Sequence, residues 1–171
     1  MTERTSLPVS GRFVQHEVDI VQNPALGAYL LWRMGDSHQR TSQVSPRMEL
    51  HFVALPILLH RPTLDYVSST QGASGLAQFV AKMRSQEDEL LAIHSRALKL
   101  RELTLQSLAI GIASGILSIG YENGTVRSLE VAKLPQLPER LKPMQKAADK
   151  IGDWFAKHPL PQTLGMLRVS P

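Results

Sequence analysis

Six histidines, at positions 16, 38, 51, 60, 94 and 158, are the side chains best suited to hold a metal or move a proton near neutral pH. Their spacing argues against both tasks. No two stand four apart, as a pair of ligands on one helical face would, and no HExxH occurs. Asp36-Ser37-His38 holds the three residue types of a hydrolytic triad, but as neighbours in a polar stretch, whereas a triad is assembled by the fold from separated positions. The acidic run Glu87-Asp88-Glu89 is explained by the positive end of a helix beginning there, without metal binding or acid–base work. Walker A, GxGxxG and GxSxG patterns do not occur. With no cysteine, disulfides and thiolate metal sites are excluded, which fits a reducing compartment. The expectation is a protein that is not an enzyme and uses no metal and no cofactor.

A chain of 171 residues suffices for one domain with a real core. Apolar residues at 43% and charged residues at 20% are the proportions of an ordinary water-soluble fold. The opening MTERTSLPVSGRF lacks the apolar run of a secretory signal. The longest apolar stretch, Leu108 to Ile119, is too short to span a bilayer and is interrupted by glycine and serine. Gly111 and Gly115 form a GxxxG, which in such a helix means close backbone packing. A cytoplasmic location and no membrane association are expected. A formal charge of +4 permits an anionic partner without demanding one.

The most ordered pattern runs from His94 to Leu129 and predicts helix, helix, then a two-stranded hairpin, the order of a winged helix. Asn123-Gly124 is the preferred loop of a type I′ turn, whose two central residues both need positive φ. That turn pairs Tyr121 with Val126 and Gly120 with Arg127, placing Leu117, Ile119, Tyr121 and Val126 on one face and Ser118, Gly120 and Arg127 on the other. An ordinary surface hairpin is the competing reading. Ser85 is placed to cap the first helix, whose apolar stripe is Leu90, Ile93, Ala97 and Leu100. The second helix, about Glu102 to Ser114, is expected to bury Leu105, Leu108, Ile112 and Ala113, with Gly115 ending it.

The predicted fold is mainly α: a single compact helical domain over 22–171 behind an extended N-terminal arm at 1–21, with the winged-helix-like element at about 85–131. Asn23-Pro24 starts a helix by N-cap and first-position proline, and ALGAYLLWRM is apolar nearly all round. Gly27 inside it predicts a close neighbour. Gly35 to Arg47 is polar and loop-like. Met48 to His60 contains Pro56 and reads as a kinked helix or two short ones, with a buried strand as the alternative. A turn of helix follows across Thr63 to Val67, and Ser74 caps another carrying Leu76, Phe79, Val80 and Met83. A last helix at about 143–157 buries Met144, Ala147, Ala148, Ile151, Trp154 and Phe155, and TLGMLRV adds a final strand or clip.

A winged helix invites the hypothesis of a small DNA-binding regulator. DNA affinity comes mainly from cations that neutralise phosphates, and the second helix and wing hold few: Arg127 stands beside Glu122 and Glu130. The positive charge lies on the flanks, at Arg96, Lys99 and Arg101 and at Arg140, Lys142, Lys146 and Lys150. Protein docking fits this distribution better than autonomous DNA reading. The candidate partner or DNA contacts are His94, Arg96, Lys99, Arg101, Arg127, Lys142, Lys146 and Lys150.

Four motifs in order, VQNPALGAYLLWRM, the Leu55-Pro56 of VALPILLH, IHSRALKLRELTLQSLAIGIASGIL and AADKIGDWFA, resemble the middle component of bacterial three-component ABC systems, the small third subunit of Lamassu-type defence operons. The resemblance runs from about Val21 to Val169. It implies a non-catalytic adaptor whose partners are an SMC- or Rad50-like ABC ATPase and an effector, often a nuclease, in a complex directed against phage or plasmid DNA. DNA contact would then be indirect, through the complex. Of the motif residues, His94 and Arg96 are the surface-contact candidates the resemblance implies, with an intramolecular hydrogen bond as the other reading of each.

Overall fold

Asn23 starts the first helix by the expected chemistry: its Oδ1 accepts from the N–H groups of Ala25 (2.9 Å) and Leu26 (3.2 Å), and Pro24 fills the position that needs no donor. The computed structural model describes residues 23–133 and 135–170; the arm expected at 1–21 lies outside them. Helix α1, Pro24–Ser42, does not stop at Gly35. The polar stretch 35–42, expected as loop, is its second half, because Ser37, Gln39 and Thr41 find partners across the fold instead of in water. Gln43, with φ 63, ends it in the left-handed region.

Helix α2, Met48–Leu58, is continuous. Pro56 lies in its last turn, where losing one ladder bond breaks nothing beyond it. The strand alternative is overturned. Helix α3, Arg61–Ser69, exceeds the expected single turn, and α4, Gly75–Met83, buries all four expected residues, Leu76, Phe79, Val80 and Met83. Ser74 holds the cap position of α4 but makes no capping bond. Helix α5, Glu87–Lys99, is not capped by Ser85, which lies in a preceding 3₁₀ turn and donates to the Lys82 carbonyl at 2.8 Å.

Leu100 alone joins α5 to α6, Arg101–Ala113, ending one helix and opening the next. The buried face of α6 differs from expectation. Leu103, Thr104, Ser107, Leu108 and Gly111 face inward, while Leu105 and Ile112 are 41% and 40% exposed. The cause is the narrow gap to α1. A methyl on Gly27 would collide with the Ser107 hydroxyl and lie 3.0 Å from its Cβ, so only the small stripe of α6 fits there.

Strands β1, Leu117–Gly120, and β2, Thr125–Ser128, form the hairpin. Ile119 pairs with Val126 and Gly120 with Thr125, so the loop has four residues and the register is displaced by two from the two-residue turn. Gly124 takes positive φ and Asn123 does not; the Asn123 Oδ1 instead accepts from the Thr125 hydroxyl at 2.8 Å. A displacement of two keeps each strand residue on its expected face. Tyr121 leaves the strand and is almost fully exposed.

Helix α7, Lys142–Ala156, crosses α1 and buries Trp154 and Phe155. Trp154 stacks obliquely on Phe79, 5.8 Å between centroids, and its indole donates to the Gly72 carbonyl at 2.9 Å. The end of the chain forms α8, Leu160–Met166, where a strand or clip was expected. Among the described residues the architecture is eight helices and one antiparallel hairpin following α5 and α6. No helix among them is long and apolar enough to cross a membrane.

Candidate functional site

The wing is stitched to the helical body along the outer edge of β2. The Val126 N–H donates to the Pro46 carbonyl and the Met48 N–H to the Gly124 carbonyl, both at 2.9 Å. Further along, Gln39 behaves as a substitute strand: its Oε1 accepts from the Ser128 N–H at 2.7 Å and its Nε2 donates to the Ser128 carbonyl at 3.0 Å. The Ser128 hydroxyl donates to the Trp32 carbonyl, and the Trp32 indole to that of Leu129. A sheet edge that would recruit strangers is thereby occupied.

The eight candidate contacts separate into three kinds of place. Arg96 is committed internally. Its guanidinium donates to Glu89 Oε2 and Thr63 Oγ1, each at 3.0 Å, and to the Glu89 carbonyl at 3.2 Å, tying α5 to α3. His60 completes the cluster, with Nδ1 2.8 Å from the Thr63 hydroxyl and Nε2 3.4 Å from Arg96. A neutral ring with its proton on Nδ1 satisfies both contacts. Burial, then the Arg96 charge, hold His60 below the ordinary imidazole range against the opposing effect of Glu89. Of the two readings open for Arg96, the structure contains the intramolecular one.

Lys150 is also turned inward. Its ammonium donates to the carbonyls of Thr70 (2.8 Å), Ser68 (3.1 Å) and Val67 (3.3 Å), closing the C-terminal end of α3. Lys82 donates to the neighbouring Ser69 carbonyl at 2.7 Å. Burial, followed by the charges of Lys82 and Lys146, lowers the Lys150 pKa.

The remaining cations are at the surface. Lys142 pairs with Glu139 near the start of α7, and Lys146 is exposed one turn on. Lys99 is exposed at the end of α5. Arg127 is exposed on the wing beside a polar hollow shared with Asp36, Arg40 and Gln43.

His94 and Arg101 do share a place. Both line an apolar groove between α5, α2 and the chain end, with Phe52, Leu98 and Leu164. His94 Nδ1 is buried without a hydrogen-bond partner. Among the described residues, no group of three or more His, Cys, Asp or Glu is placed to hold a metal ion.

The exposed aliphatic side chains of α6 differ from the expected pattern, because residue type places Leu105 and Ile112 in the core. A signal was present: Thr104, Ser107 and Gly111, at i, i+3 and i+7, make a buried small-residue seam in which Ser107 meets Gly27 and Gly111 meets Leu117. Once that seam faces inward, the leucines beside it must face out.

Residues 12–171 match the model of one protein family, described as ABC-three component (ABC-3C) system Middle Component 3. No curated protein and no solved structure matches the chain.

Proposed function

This chain belongs to the ABC-three component (ABC-3C) system Middle Component 3 family, and on that premise we propose that it is a non-catalytic adaptor. It links an SMC- or Rad50-like ABC ATPase to an effector, such as a nuclease, in a cytoplasmic complex of the Lamassu type that acts against phage or plasmid DNA. The observation that carries this reading is the outer face of α6. In a DNA reader that face would present cations; here it presents Leu105 and Ile112 beside Glu102 and Gln106, which bond each other, with Arg101 as the only cation of the helix. Exposed aliphatic residues on a rigid helix suit a protein surface. Nucleic acid reaches the complex through the ATPase.

Co-expression with the products of the adjacent genes tests the proposal. A stable assembly with the ATPase, resolved by size-exclusion chromatography, is expected. The isolated chain is expected to show no tight, steeply salt-dependent binding to duplex DNA, and Arg127→Ala to leave any residual DNA affinity unchanged. Failure to assemble with the ATPase, or substrate turnover by the chain alone, would overturn it.

A further inference from the structure

Helix α5 leaves one face bare along its length. Leu91 and Leu98 are 52% and 63% exposed, with His94 between them at helical spacing. Two hollows follow one another beside this stripe. One, about 190 Å³, has Phe52, Leu98, Leu164 and Val169 on its walls and is almost entirely carbon-lined. The other holds Leu90 and Leu91 and is framed by Arg84 and Arg168. Arg101 stands at the far end. From Leu91 to Leu98 the stripe rises about 10 Å along α5, and Arg101 follows across the Leu100 junction at the start of α6.

Its electrostatics are one-sided. Arg84, Arg101 and Arg168 make no ion pair among the described side chains, and Glu49, the acid on the lining, already pairs with Arg47. Arg168 is held at this end by a left-handed backbone (φ 57) that closes α8.

We propose that this groove receives an amphipathic helix of a partner subunit, aliphatic on one face and bearing Asp or Glu near both ends. The walls are side chains of helices and of the segment 168–170 that follows α8, with no strand among the lining residues, so the incoming segment must satisfy its own backbone, as a helix does. The carbon-lined hollow beside Leu98 takes the aliphatic face, and the arginines at the more polar Leu91 end and at Arg101 select acids. A second copy of this chain is a poor occupant, since a two-fold contact would set the same cations against one another. The inference rests on the adaptor reading and adds to it the docking face and the chemistry of the partner.

The test uses the full chain assembled with the products of the adjacent genes. Leu98→Glu, at an exposed position, is expected to keep the wild-type melting temperature and to weaken assembly by about tenfold or more. Arg101→Glu with Arg168→Glu is expected to do the same. A photo-crosslinking residue at position 98 is expected to label a partner peptide with an i, i+3, i+7 aliphatic pattern flanked by acids. If the wild-type chain forms no complex, the adaptor reading falls and this inference with it. If the complex forms and Leu98→Glu assembles like wild type, the groove assignment alone is overturned. A crosslink to residues 1–22 of the same chain, or to a second copy, overturns it as well.

Discussion

Replacing Gly152 by alanine adds one methyl at the crossing of α7 and α1, and the structure sets its cost. The new Cβ would fall inside contact distance of the Met34 carbonyl oxygen, 2.9 Å from Ser37 Cβ and 3.1 Å from the His38 nitrogen. Two of these three atoms are main chain, fixed in the hydrogen-bond ladder of α1, and cannot turn aside as a side chain would. Helix α7 must therefore retreat. Retreat loosens the seam in which Arg33 pairs with Asp149, Ser37 donates to the Asp149 carbonyl at 2.7 Å and Thr41 to Asp153 at 3.0 Å. Overpacking costs about 1–3 kcal/mol, and a rigid neighbour puts this case at the upper end. Weakening the hydrogen bonds adds about 1 kcal/mol. Alanine's better helix propensity returns about 1 kcal/mol, leaving a net loss of about 3 kcal/mol. Gly165 in α8 is the control: no heavy atom lies within 4 Å of its added methyl. Gly165→Ala should therefore stabilise by about 0.5–1 kcal/mol. Urea unfolding measures both, with m-values unchanged from wild type. The thermal midpoint of Gly152→Ala should fall by roughly 9 °C. Equal stability of Gly152→Ala and wild type, or shifts of the same sign for both substitutions, would refute the close crossing.

The buried His51 should make stability depend on pH, since desolvation lowers its pKa to about 4 despite its contact with the Arg47 carbonyl. The unfolded chain takes up this proton below its ordinary imidazole pKa of about 6.5 while the folded chain does not, so stability is full above that pH and falls as the pH drops toward 4. About 2.5 kcal/mol should be lost near pH 4.5, and His51→Leu should flatten the slope in urea titrations; an unchanged slope would count against the assignment. Arg96→Met should destabilise by about 2 kcal/mol and raise the His60 pKa, read by NMR titration, because the Arg96 charge helps to hold it down. Gln39→Leu should speed hydrogen exchange at the Ser128 amide, which donates to Gln39, while leaving exchange in the α7 interior slow; protection unchanged at Ser128 would remove Gln39 from the role of substitute strand.

Where local chemistry decides, the chain was readable from its residues. Asn23-Pro24 capped as expected, the α7 stripe of Ala147, Ala148, Ile151, Trp154 and Phe155 is buried, and helix, helix and hairpin follow in the anticipated order. Where distant partners decide, it was not. Residues 35–42 look like loop because their hydrogen-bond partners, Ser128, Asp149 and Asp153, lie far along the chain. The face of α6 differs from expectation because leucine marks the core on average, whereas the close approach of Gly27 turns Ser107 and its small neighbours inward beside Leu103 and Leu108. The register slipped by two because Asn123 uses its side chain to shape a longer turn than the dipeptide alone predicts. Of the candidate contacts, Arg96 and Lys150 turned inward because carbonyls and a carboxylate were waiting there, which charge counting does not reveal.

The pairing of Gln39 with Ser128 joins positions 89 residues apart, and this has a consequence for the order of events during synthesis. The polar half of α1 leaves the ribosome long before the strand that gives it a reason to be helical. Its other partners, Asp149 and Asp153 on α7, emerge later still. The hairpin can close locally in microseconds, yet it gains its fixed position only when it finds α1. The wing and the far end of the first helix are thus a late, mutually dependent step, and a chain cut short before Leu129 would lose order in both.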